Sequence, residues 1–145
     1  MNRRSGARTL PNGVAFGTHV TPGTNEVRME LWLRNGTAAT LTGLRVQNCV
    51  MLRNAAGFDR QTNSNKVVRP PVVAAQSDDS THWIVTAWSH CQRCWCNPPL
   101  PCIHSDPQFP DCQPGETVRV HGVLAFVEGK DATAEMQRLG TLVAE

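Results

Sequence analysis

The stretch EVRMELWLR at residues 26–34 decides the fold class. Val27, Met29, Leu31 and Leu33 take every second position, with Glu26, Arg28, Glu30, Trp32 and Arg34 between them. A period of two is that of a strand with one buried face, whereas a helix would bring its apolar residues round every three or four positions. Upstream, Thr-Pro-Gly-Thr at 21–24 is a turn, and before it Val14, Phe16, Thr18 and Val20 alternate as a second strand. Downstream, Asn35-Gly36 turns the chain; with Thr37 the triplet also matches a glycosylation sequon. Leu44, Val46, Val50 and Leu52 then alternate, with Asn48 interrupting their face and Cys49 opposite to it.

Further along, residues 53–71 are polar, end in Pro70-Pro71 and read as a long loop. Val72 to Ala75 predicts a short edge strand, where neighbouring prolines are tolerated. Thr81 to Trp88 alternates Trp83, Val85 and Ala87 against His82, Ile84, Thr86 and Trp88. Pro114-Gly115 leads into a last strand, Thr117 to Glu128, with Val118, Val120, Leu124 and Phe126 on one face. Asp131 predicts the cap of a short helix over Ala132 to Leu139, stopped by Gly140. Strands in series without crossover helices predict an antiparallel β-sandwich or jelly roll, not a parallel α/β sheet.

At 145 residues the chain holds one hydrophobic core. We expect a disordered arm over residues 1–12, with Arg3, Arg4 and Arg8, and a single domain over 13–145. Hydrophobic residues at 40% and charged residues at 18% exclude a mostly disordered chain. The apolar run at 123–127 is far short of the roughly 18 residues of a membrane helix. A net charge of +2 gives no argument for nucleic acid or an anionic membrane as partner. The arginines at the start are followed by no apolar run, so they do not read as a signal peptide.

The anomaly is cysteine: six in all, five of them between Cys91 and Cys112. That segment lies in a loop expected over residues 89–114, where Pro98, Pro99, Pro101, Pro107 and Pro110 forbid a helix. A loop of this length with little apolar content needs a covalent or coordinate staple. One staple is a metal ion. Cys91-x-x-Cys94 has the spacing of a zinc knuckle, and Cys96, Cys102, His104 and Cys112 supply further ligands. Zinc suits this donor set best, copper or iron less well. The order Cys94, Cys96, Cys102, His104 is near that of CDGSH-type iron–sulfur ligands but differs in spacing, and Rieske centres use another order. The other staple is disulfides, with no cofactor, in which Cys49 could anchor the loop to the sheet.

The aromatic residues suggest a second class of function. Trp88, Trp95 and Phe109, with Asp106, are the candidate ligand-binding residues, since exposed aromatics beside carboxylates stack on sugar rings. No residue stands out as a catalytic nucleophile, and phosphate loops, serine elbows and zincin motifs are absent.

LTGLRVQNCVML at 41–52, NPPLPCIHSDPQFPDC at 97–112 and PGET at 114–117 resemble a domain of uncharacterised bacterial, exported β-sandwich proteins. The resemblance covers Val14 to Glu128. It implies a β-sandwich, an extracytoplasmic setting that favours disulfides over zinc, and a domain of a longer chain; it carries no activity. The stapled loop and its aromatics give the expected function, a ligand-binding module, with a glycan as one ligand class. The alternative is a small hydrolytic or oxidative metalloenzyme with its ion in the Cys/His loop, and a sheet face could also serve as a homo-oligomer interface.

Overall fold

The computed structural model describes residues 4–144. They are mainly β, in two antiparallel sheets with one short C-terminal helix. The strand containing EVRMELWLR, β3 (Glu26–Arg34), lies between β2 (Ala15–Pro22) and β10 (Thr117–Glu128). Leu31 stands opposite Thr18 and Val120, and Leu33 opposite Phe16 and Val118. The alternating positions of three strands thereby fall on one face. Beyond β10 the sheet continues through β7 (His82–Trp88), β6 (Val72–Gln76) and β5 (Lys66–Arg69). Its other edge is β1 (Arg4–Thr9), paired with β2. A smaller sheet has the order β4 (Cys49–Met51), β9 (Cys102–Pro107), β8 (Cys91–Asn97).

Both faces of β6 and β7 are covered, which explains why their residues are buried at nearly every position. On one face Val72, Ala74, Trp83, Val85, Ala87, Val123 and Ala125 pack under the helix α1 (Thr133–Ala144) through Met136, Leu139 and Val143. On the other, Val73, Ala75 and Ile84 pack under Leu52 and Ile103 of the small sheet and its flank. Further along this second face, Val14, Leu33, Val118 and Val120 pack with Trp88, Phe109 and Cys112. Trp88 stands opposite Gly122, where a Cβ would lie 2.3 Å from the indole. Glycine there leaves the neighbouring strand open for the ring to rest on.

Four expectations are corrected. Residues 4–9 are a paired strand, not part of a disordered arm; residues 1–3 lie outside the described residues. The edge strand is β5, inside the segment expected to be a loop, and β6 is interior: the prolines sit in the β5–β6 turn, so β6 keeps all its N–H donors. The helix runs through Gly140 to Ala144, because burying Val143 beside Leu139 outweighs the roughly 1 kcal/mol cost of a helical glycine. The cysteine segment is mostly sheet. Pro98, Pro99 and Pro101 all fall in the β8–β9 turn and Pro107 at the end of β9, so none blocks the ladder between them.

Asn35 resolves to a turn. Its buried amide donates to the carbonyls of Ala39 and Cys112, at 2.8 and 2.9 Å, while its oxygen accepts from Thr37. No helix among the described residues is long and apolar enough to cross a membrane.

Candidate metal centre

Register in the small sheet puts ligand-type side chains together. Cys49 on β4 stands opposite His104 on β9, and Cys102 is two residues before His104. A spacing of two along a strand keeps Cys102 and His104 on one face, and cross-strand pairing brings Cys49 to the same face. This face points away from the large sheet, since Ile103, between them, packs toward it. The Sγ atoms of Cys49 and Cys102 and a His104 ring nitrogen all lie within 4.8 Å of one another. Cys102 Sγ is 3.2 Å from His104 Nε2. Tetrahedral zinc, with bonds near 2.3 Å to sulfur and 2.0–2.1 Å to nitrogen, sets neighbouring donors about 3.5–3.8 Å apart, so modest side-chain rotation completes the geometry. Cys102 and His104 are buried and Cys49 is exposed.

Behind the histidine stands a carboxylate. Asp106, again two residues on, has Oδ1 3.7 Å from His104 Nδ1, beyond hydrogen-bond length, and Nδ1 is buried with no hydrogen-bond partner. Three residues donate to this carboxylate: Trp95 Nε1 at 2.8 Å, Arg93 through Nη2 at 3.0 Å and Nε at 3.3 Å, and the backbone N–H of Asn48 at 2.9 Å. Trp95 stacks on the His104 ring with centroids 3.9 Å apart, and the Arg93 guanidinium lies over the indole at 4.6 Å. Arg93, Trp95 and His104 thus form three layers, with Asp106 pinned at their edge.

Burial lowers the His104 pKa below its ordinary 6.5, against an opposing pull from Asp106. The imidazole is therefore neutral at pH 7, the form that ligates a metal. Partial desolvation of its sulfur, although the residue as a whole is exposed, and after it the neighbouring Cys102, push the Cys49 thiol up. A metal binding here must displace protons from sulfur.

Of the residues expected to hold a metal, only Cys102 and His104 join this group. Cys91 and Cys94 face the opposite side of β8, where Cys94 and Cys96 pack toward the large sheet. Burial pushes the Cys96 thiol up. Cys112 is buried in the core beside Trp88, with Sγ 3.4 Å from the Glu116 carbonyl. All six cysteines are free thiols, with no disulfide among them.

The expected ligand-binding residues are placed differently again. Trp88 and Phe109 are core residues, 2% and 6% exposed, and cannot present a surface to a glycan. Trp95 and Asp106 are engaged with His104. The candidate ligand that sequence reasoning missed is Cys49. Its isolation on the polar side of an alternating strand was the available signal, read there as a disulfide anchor.

No family model matches the chain, and no curated protein does. Among solved structures, the Slr1438 protein from Synechocystis sp. aligns with 87% of this chain at a TM-score of 0.58 and 9% identity. The chain spans 62% of the length of that structure. At this identity the likeness is one of fold alone. A kojibiose phosphorylase structure from the human microbiome aligns at a TM-score of 0.37 and 4% identity, with 20% of its length covered, too weak to carry an argument.

Proposed function

We propose that the protein is a metal-binding β-sandwich module, whose centre is Cys49, Cys102 and His104 and whose ion is zinc. The observation that carries the reading is the convergence of two thiols and a neutral imidazole, with Asp106 behind the imidazole. Thiolate with imidazole is a donor set for zinc rather than for magnesium or calcium. A metal-bound histidine directs its other N–H to a carboxylate, and Nδ1 of His104 faces one while lacking any other partner. Trp95 and Arg93 then have a role that needs no glycan: they hold the ring and the carboxylate in place.

The test is zinc titration of chelator-treated, reduced protein, with cobalt as a coloured substitute. One equivalent is expected, with a sulfur-to-cobalt absorption band, and Cys102→Ser or His104→Ala removes both. Undiminished binding in those two variants, or loss on changing Cys91 and Cys94 instead, sinks the proposal.

A catalytic reading has one specific observation in its favour. The group supplies three protein ligands and its third, Cys49, is exposed, so a fourth position can hold water. Zinc-loaded protein that hydrolyses an activated ester, with the activity absent in His104→Ala, supports this reading; equal rates in the two proteins remove it.

A further inference from the structure

The near face of the small sheet carries a second sulfur pair, separate from the metal centre. Cys91 and Cys94 are three residues apart, which in a regular strand points them to opposite faces. A bulge in β8 changes this. Cys91 pairs with Pro107 and Arg93 with Asp106, so Gln92 is the extra residue and the alternation slips by one. Both cysteines then lie on the face of Ser105 and Pro107, with their sulfurs 3.3 Å apart. A disulfide needs about 2.05 Å, so closing requires a shift of about 1.3 Å. No third His, Cys, Asp or Glu joins them in a metal-sized group among the described residues.

We propose that Cys91 and Cys94 form a thiol–disulfide exchange site that reacts with small solvent-borne disulfides of the glutathione type. Cys91 is the attacking sulfur and Cys94 the resolving one. The Cys91 thiolate attacks one sulfur of the disulfide RSSR, forming the mixed disulfide Cys91–S–S–R and releasing RS⁻. Cys94 gives up its proton and attacks the Cys91 sulfur, forming the Cys91–Cys94 bond and releasing the second thiol. Two protein thiols are oxidised, one disulfide is reduced to two thiols, and no other reactant is needed.

The surroundings assign the roles. The two sulfurs share one hydrogen bond; with Cys94 as its donor, the Cys91 thiol comes down to about 6 and Cys94 is pushed up. Backbone N–H groups of Arg93 and Asp106 also favour the Cys91 thiolate. Ser105 Oγ sits 3.5 Å from Cys91 and 2.8 Å from the Pro71 carbonyl, while accepting from the Trp88 amide. A thiol that is mostly thiolate at neutral pH is the reactive kind, provided solvent reaches it. Both cysteines are half-buried, on the outermost strand of the small sheet, so solvent does.

The experiment treats reduced, zinc-free protein with oxidised glutathione at pH 7, then quenches with acid, alkylates and maps peptides by mass. A Cys91–Cys94 bridge is expected in the unaltered protein. Cys94→Ser should hold glutathione on Cys91, and Cys91→Ser should show at least tenfold less adduct at Cys94. The proposal fails if the unaltered protein keeps both thiols free while exposed Cys49 is modified, or if Cys94 carries the trapped adduct. The bridge in the unaltered protein needs no variant to fold, and zinc binding at Cys102 and His104, measured on the same samples, reports on the other site separately.

Discussion

The two faces of the small sheet carry sulfur for different reasons. On the far face, plain register does the work: Cys102, His104 and Asp106 alternate along β9, and Cys49 joins by direct cross-strand pairing. On the near face an irregularity does it: one bulge residue, Gln92, brings a Cys-x-x-Cys pair to one side of a strand. Regular pairing offers a pocket of donors around a point, and the bulge offers two atoms in contact. A point surrounded by donors suits an ion; two touching sulfurs suit a bond. A Cys-x-x-Cys is thus not a metal knuckle by spacing alone, because the backbone beneath it decides what the sulfurs meet.

The comparison can be broken from either side. His104→Ala should lower zinc affinity by at least about 100-fold, beyond the 10–100-fold typical of outer partners, and leave Cys91–Cys94 bridging intact. Calorimetric titration beside peptide mapping checks both halves. Deleting Gln92 removes the bulge and leaves Cys91 two residues before Cys94 on the same face, about 6.6 Å apart along a regular strand instead of in contact, so bridging should slow while zinc binding through β9 persists. Bridging at the original rate in that deletion would show that the bulge does not control the pair.

Smaller effects sharpen it. Asp106→Asn preserves shape but removes the charge facing His104, and zinc affinity should fall by about 10–100-fold without a change in stoichiometry. The pH response of zinc-free protein comes next. His104 has its folded pKa below 6.5, so between that value and 6.5 the unfolded chain binds a proton that the folded one refuses. Stability from the neutral histidine is complete above about pH 6.5 and declines as pH falls below it. Denaturant melts from pH 8 to pH 5 on the protein and on His104→Gln should show a difference that is flat above about 6.5 and shifts against the histidine protein below it. Last, Cys112→Ser should leave both sites unchanged and cost about 1 kcal/mol in denaturant unfolding, since the hydroxyl can still donate to the Glu116 carbonyl.

Much of the architecture is legible in the chain. The alternation in 26–34, 81–88 and 117–128 is a local property, and each of those strands forms with the face expected of it. The strands that were missed are those whose local composition misleads. Lys66–Arg69 is short and lies in a polar segment, and Cys91–Asn97 and Cys102–Pro107 are interrupted by prolines that all proved to fall at or beyond strand ends. Trp88 and Phe109 point inward against expectation because an aromatic near a loop gives no sign of which side of the sheet the loop will cover; here it covers both residues.

The sequence by itself determined a mainly antiparallel β protein with a terminal helix, and it showed five of the six cysteines gathered between residues 91 and 112. Those properties follow from side-chain period, turn residues and capping, which act over a few positions. Only the tertiary structure decided which sulfurs meet. Cys49 reaches His104 through a pairing across more than fifty intervening residues, and Cys91 leaves the face of His104 through a single backbone bulge. Register between distant strands and the placing of a bulge are set by how two sheets pack, and no local pattern encodes them.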